Sequence, residues 1–177
     1  KETLKDCKYL GPNKDKLIEI YKELEFFSYL KKMDYKQENT ISNYKVLENL
    51  NEINKNNDIS YYIECNNENY HNSEILGMGL YDGINSFFIK PEMITECLEY
   101  LKDNDKYTYD LKKNINLLNN IHLNTSFDLM IAAYLLNYQI KEDLAVLMNK
   151  EGIYVSVYND VIKDKNNLEN EVTLKAK

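Results

Sequence analysis

The chain has no arginine and no tryptophan, and it holds only 5 Gly, 2 Pro, 3 Cys and 2 His in 177 residues. So little glycine and proline, beside 16 Tyr, excludes a collagen-like or wholly disordered chain. The three cysteines are far apart and none belongs to a Cys-x-x-Cys pair, which excludes a disulfide framework and does not match the ligand spacing of a zinc site. No apolar run approaches the roughly 20 residues that cross a bilayer, so we expect a cytoplasmic protein without a membrane partner.

Lysine supplies all the positive charge, and the chain is acidic. It carries 22 Lys against 29 Asp and Glu, a net charge of −7. Residues 59–160 hold 7 Lys against 15 acidic residues, a net charge of −8. Proteins that bind the phosphates of nucleic acids are usually basic and often use the bidentate arginine fork. We therefore expect this segment alone to bind nucleic acid weakly.

The hydrophobic pattern changes near residue 58. Residues 14–33 place apolar side chains at spacings of three and four, which predicts an amphipathic helix. Residues 34–58 are rich in asparagine with only scattered apolar positions, which predicts a linker that could hold one short helix near its end. The predicted domains are therefore a helical extension and linker over 1–57 and a second domain over 58–177.

The second domain is predicted to begin with an antiparallel meander, because three β-prone segments follow one another and Asp82-Gly83 is a strong hairpin signal. Helical and strand patterns then alternate, which indicates an α/β domain with a mixed sheet. The last helix would end with the chain, as in a domain truncated at its C-terminal end. The predicted segments are strands at 59–65, 75–82, 85–91, 106–110 and a possible edge strand at 121–124, and helices from Pro91, from Leu111, at 127–137 behind Ser126 as N-cap, at 141–149 and from about residue 167.

Three segments in this order resemble successive blocks of the 3'-5' exonuclease domain of bacterial family A DNA polymerases. They are ENYHNSEILGMGLYDGINSFFIKPE at 68–92, YDLKKNINLL at 109–118 and SFDLMIAAYLLN at 126–137. The last is the most specific, because a Phe-Asp pair followed by a small-residue helix recurs there in the family. The helix KLIEIYKELEFFSYLKK also resembles the segment that ends the 5'-nuclease region, so the resemblance spans about residues 10–177.

The resemblance implies a ribonuclease H-like mixed sheet flanked by helices, with the N-terminal helical extension leading into it. In the parent chain such a domain would lie between a 5' nuclease and a polymerase. Those two domains would be its partners, and it would reach DNA, and the bacterial nucleoid, through the parent enzyme. The ENYH block resembles the polymerases of Gram-positive bacteria, some of which carry this fold without its catalytic carboxylates.

The catalytic motifs of the family are where this sequence departs from it. Proofreading members hold two metal ions with carboxylates, and their first strand supplies an Asp-x-Glu pair. Aligned on Gly77, that pair falls on Ile63 and Cys65, which cannot be Mg²⁺ ligands of this kind. Glu64 lies between them, and the two-residue period of a strand places it on the opposite face. A shift of the alignment by one residue would recover a single carboxylate and never the pair.

Two further motifs are equally incomplete. Asp110 matches the second motif, an Asp at the start of a helix, although such an acid also caps a first helical turn. Asp128 is likewise expected to be a first-turn acid. The third motif, Tyr-x-x-x-Asp on a late helix, should fall near Lys175 onward and is not visible. Neither Tyr154 nor Tyr158 has the right spacing to Asp160.

The leading hypothesis is therefore an exonuclease-fold domain of a family A DNA polymerase that is catalytically inactive, structural and without a cofactor. One alternative is an active Mg²⁺-dependent 3'-5' proofreading exonuclease with displaced ligands, for which Glu64, Asp110, Asp128 and Asp160 are the candidates. A second alternative is an acidic protein-interaction module without a link to DNA. Whether this chain is itself an enzyme stays open at this point, and the parent protein is expected to be a DNA-directed DNA polymerase.

Overall fold

The structure is a computed structural model that describes residues 11–24, 26–33, 41–67, 69–119, 121, 123–138, 144–156 and 167–177. The chain divides into two compact units between Glu38 and Asn39. The first unit holds two short helices, α1 (Lys14–Glu23) and α2 (Phe27–Lys32), where one helix was predicted. No helix among the described residues is long and apolar enough to cross a membrane.

The second unit is built on a mixed sheet of six described strands. Strands β2, β3 and β4 form the antiparallel meander that the sequence predicted. On one side of the meander β5 and β6 continue the sheet parallel to β2, and on the other side β1 pairs parallel with β4. The spatial order is β1-β4-β3-β2-β5-β6. The strands are β1 (Tyr44–Val46), β2 (Ile59–Cys65), β3 (Ile75–Tyr81), β4 (Ser86–Ile89), β5 (Lys106–Thr108) and β6 (Thr125–Asp128).

Five α-helices of this unit are described: α3 (Ile94–Tyr100), α4 (Leu111–Leu117), α5 (Leu129–Leu135), α6 (Leu144–Lys150) and α7 (Leu168–Ala176). The larger apolar cluster joins α3 to one face of the meander, where Tyr61 and Ile63 point. A smaller cluster joins α6 and α7 to the other face, where Tyr62 and Phe88 point. Successive side chains of β2 therefore pack against different helices, as the two-residue period of a strand requires.

The segment predicted as a linker contributes to this unit. Residues 44–46 form β1, and Leu47 and Ile53 are buried in the larger cluster. The carboxylate of Asp82 accepts hydrogen bonds from the backbone N–H groups of Asn54, Ile84 and Asn85, at 2.9, 3.0 and 2.7 Å, and so ties the segment to the β3–β4 hairpin. Burial alone would raise the pKa of Asp82, but these hydrogen bonds outweigh it and hold the pKa below its usual value.

The start of α5 differs from its prediction. Residues 125–128 form the edge strand β6, where the sequence favoured 121–124. Helix α5 therefore begins at Leu129, and its N-cap is Asp128 rather than Ser126. A strand that pairs with β5 competes here with the local helical pattern and extends over Phe127 before the helix begins.

Helix α7 approaches the sheet closely at Gly79. A Cβ atom built on Gly79 would overlap the backbone carbonyl of Val172, so only glycine admits the helix at this distance. Hydrogen bonds hold both ends of α7 in place. The Tyr44 hydroxyl donates a hydrogen bond to Glu169 Oε2 at 3.0 Å, and the Ser60 hydroxyl donates one to the carbonyl of Ala176. These contacts place the last turn of α7 over β2.

Candidate functional site

A buried ion pair joins the last turn of α7 to β2. Lys175 Nζ lies 3.0 Å from Glu64 Oε2, and the side chains of both residues are 0% exposed. Taking two charges out of water costs free energy that their attraction repays only while both partners are present. The ammonium group of Lys175 therefore balances the negative charge of Glu64.

The ring of Tyr62 completes this contact on the same face of β2. Tyr62 is 5% exposed, and its ring centroid lies 5.1 Å from Lys175 Nζ and 5.2 Å from Lys113 Nζ. A cation within about 6 Å of an aromatic face is attracted by the ring quadrupole. The charged side chains around this contact are Glu64, Lys175 and Lys113. Together they carry a net charge of +1.

Asp110 serves as the N-cap of α4, as the sequence indicated. It is in the left-handed region at φ 57° and ψ 67°, and its Oδ1 accepts a hydrogen bond from the backbone N–H of Lys113 at 3.0 Å. The first N–H groups of a helix have no partner inside the helix, and an acidic side chain satisfies one of them.

Asp128 caps two helices at once. Its Oδ1 accepts hydrogen bonds from the backbone N–H groups of Met130 at 2.9 Å and Asp110 at 3.1 Å. Its Oδ2 accepts a third from Leu111 N–H at 2.9 Å. Both oxygens are thus committed to backbone donors, and they join the start of α5 to the start of α4.

Ile63 and Cys65 lie in the core and are each 1% exposed. These are the positions to which the sequence alignment assigned the Asp-x-Glu pair of the family. Ile63 belongs to the cluster of α3, away from α7. The side chains that meet α7 are Tyr62 and Glu64, each one residue earlier. Asp160 lies outside the described residues.

Two thiols are part of the same interior. Cys65 and Cys97 are both buried. The Cys65 Sγ donates to the backbone carbonyl of Asn67 at 3.3 Å. Burial raises the pKa of the Cys97 thiol to about 12, so this side chain acts as a small apolar group rather than a nucleophile.

A two-metal centre does not fit the carboxylates that the structure describes. Such a centre places two cations about 4 Å apart and requires several oxygen ligands that converge on them. Over the described residues, no group of three His, Cys, Asp or Glu side chains could hold a metal ion. Glu64 is paired with an ammonium group, and the oxygens of Asp110 and Asp128 bind backbone N–H groups.

Two cavities of about 730 Å³ each adjoin the ion pair, and Lys175 lines both. The first has an aromatic wall that includes Tyr81, Tyr107 and Phe127. The second is an apolar groove between α5 and α6, with Leu136 and Leu147 in its lining. Of the two members of the ion pair only Lys175 lines these cavities, and because its side chain is 0% exposed it borders them through its backbone.

Comparison with known proteins gives one consistent family. Residues 61–165 match the family described as DNA polymerase I, ribonuclease H-like domain. DNA polymerase I of Bacillus caldotenax is 29% identical over 148 residues, and that of Geobacillus stearothermophilus 28% over 148 residues; each alignment covers 76% of this chain and 17% of the relative. The chain thus spans about a sixth of the length of these relatives.

Solved structures with a similar fold include NrnC of Brucella melitensis. The chain aligns with NrnC bound to pGG at a TM-score of 0.54 and 14% identity, over 76% of this chain and 75% of that one. With NrnC that has bound Mg²⁺ the TM-score is 0.51 at 12% identity, over 75% and 73%. At such low identity the likeness concerns the fold alone.

Proposed function

Because the chain belongs to the family of ribonuclease H-like domains of DNA polymerase I, we propose that it is an exonuclease-fold domain without catalytic activity, with a structural role in a DNA polymerase. The observation that carries the proposal is the buried pair of Glu64 and Lys175, with both side chains 0% exposed. The ammonium group of Lys175 balances the charge of Glu64, the acidic side chain of β2 that faces α7.

Hydrolysis of a phosphodiester by two metal ions needs cations that generate hydroxide and stabilise the leaving oxygen. For a divalent cation to bind Glu64, Lys175 would have to leave its partner while both are buried, which is costly. Recruiting Asp110 or Asp128 would free backbone N–H groups at the starts of α4 and α5. Glu64, Asp110 and Asp128 are thus engaged with other groups. Their contacts argue against the proofreading alternative, in which these three residues and Asp160 would hold the metal ions.

As partners we propose the polymerase and 5'-nuclease domains of the same parent chain, and DNA through that parent enzyme. The similarity to DNA polymerase I over 17% of the relatives supports this proposal, as does the net charge of −8 over residues 59–160. Phosphate contacts dominate affinity for nucleic acid, so an acidic domain alone should bind single strands weakly. A cytoplasmic location, at the nucleoid through the parent enzyme, follows from the same proposal.

The test is degradation of a 5'-labelled single-stranded oligonucleotide by this chain in Mn²⁺. We expect no shortening of the label, because no pair of metal ions is held. A proofreading exonuclease serves as the positive control, and the Glu64→Gln variant identifies trace activity from contaminants, which the substitution would leave unchanged. Mn²⁺-dependent shortening that disappears in Glu64→Gln would disprove the proposal.

A further inference from the structure

We infer that Glu64 and the ring of Tyr62 form a binding site for an ammonium ion, which the chain fills with its own Lys175. The inference rests on the proposed function. In this domain the ammonium group of Lys175 takes the place of the metal ions that the fold family uses. Lys175 is on this view the resident cation of the site.

The chemistry of the site selects an ammonium group over a divalent metal. Glu64 Oε2 lies 3.0 Å from Nζ, and the Tyr62 centroid 5.1 Å from it. A carboxylate oxygen and an aromatic face suit a compact monovalent cation with three N–H donors. Mg²⁺ demands about six oxygen ligands at short distance, and the second ammonium group near the ring, that of Lys113, adds repulsion.

The position of the ammonium group is set by α7. One turn before Lys175, the buried carboxylate of Glu171 accepts hydrogen bonds from Ser156 N and Ser156 Oγ, both at 2.9 Å, and from Asn167 Nδ2 at 3.0 Å. Residues four apart share a helix face, so this network fixes the rotation of α7 that directs Lys175 at β2. Gly79 sets the distance between helix and sheet.

The two cavities border the backbone of Lys175, so shortening its buried side chain would open the space in front of Glu64 toward them. Lys175→Ala removes Cγ, Cδ, Cε and Nζ, which together correspond to one n-propylammonium ion. The Glu64 carboxylate, which lines neither cavity of about 730 Å³ in the unsubstituted chain, would then border the vacated space. A free ammonium ion of matching length can enter there and restore the charge balance.

The experiment measures the Tm of the 177-residue chain with added n-propylammonium chloride, against sodium chloride at equal ionic strength. For Lys175→Ala we expect a Tm rise of about 2–4 °C when the ion is present at about five times its Kd. The unsubstituted chain, whose site is filled, should show no such rise. The matched control is Glu64→Gln/Lys175→Ala, which lacks the carboxylate and should not respond.

The inference is overturned if Lys175→Ala and the double variant respond equally to n-propylammonium. It is also overturned if Mg²⁺ at the same ionic strength raises the Tm of Lys175→Ala more than the ammonium ion does. Should Lys175→Ala be unfolded at 25 °C, n-propylammonium is expected to recover its circular dichroism spectrum, and failure to do so overturns the inference as well. Nuclease activity of the unsubstituted chain would instead count against the proposed function.

Discussion

Replacing Lys175 with methionine is expected to lower the free energy of unfolding by about 3–5 kcal/mol. Methionine has nearly the length of lysine and fills its space, so the loss comes from charge rather than from a cavity. Glu64 would remain buried without the ammonium group that lies 3.0 Å from its carboxylate. Urea denaturation followed by circular dichroism measures the change.

Two control variants separate this effect from a general loss of a lysine. Lys102→Met removes a lysine 3.2 Å from Glu99 in a pair whose side chains are 61% and 69% exposed, and it should change stability by no more than about 0.5 kcal/mol. Glu64→Gln/Lys175→Met removes both charges and should be more stable than Lys175→Met alone. If the effects of the two single substitutions simply add in the double variant, the pair is not coupled and its importance is refuted.

Replacing Asp128 with alanine is expected to cost about 2–4 kcal/mol, because three backbone N–H groups at two helix starts lose their acceptor. Asp128→Asn keeps one side-chain oxygen and should cost less. Asp103→Ala, at an exposed acid that caps no helix, is the control. The measurement is chemical denaturation with EDTA and again with Mg²⁺.

A cap and a metal ligand give different outcomes in that comparison. The loss in Asp128→Ala should be the same with EDTA and with Mg²⁺, because the hydrogen bonds do not involve a metal ion. A loss that appears only with Mg²⁺ would mean that Asp128 holds a cation, and the assignment of this residue as a double N-cap would be wrong.

Local pattern was enough to predict much of the fold. The meander of β2 to β4 was predicted from three β-prone segments and the Asp82-Gly83 turn, and the family match at 61–165 confirms the ribonuclease H-like fold and the family resemblance. Strand β1 was missed, because it has three residues and its pairing with residues 86–88 is parallel and far along the chain. Such a short strand is specified by tertiary contacts rather than by its own sequence.

The site was harder to predict than the fold, because its geometry depends on a single residue of register. Shifting β2 by one residue moves every side chain to the other face, and the pair that meets α7 is Tyr62 and Glu64 instead of Ile63 and Cys65. The role of Lys175 depends on the passage of α7 over Gly79, a contact between residues about 90 positions apart that no local pattern encodes. The one feature of the sequence that pointed to this site was the missing Asp of the third motif near Lys175.

Calorimetric titration of this chain with Mn²⁺ tests most directly whether the exonuclease fold holds metal ions here. Because Lys175 balances the charge of Glu64, and Asp110 and Asp128 cap helices, we predict no site with a sub-millimolar Kd. Titration of Glu64→Gln should give the same trace. Sub-millimolar binding of two Mn²⁺ ions per chain, lost in Glu64→Gln, would contradict the account.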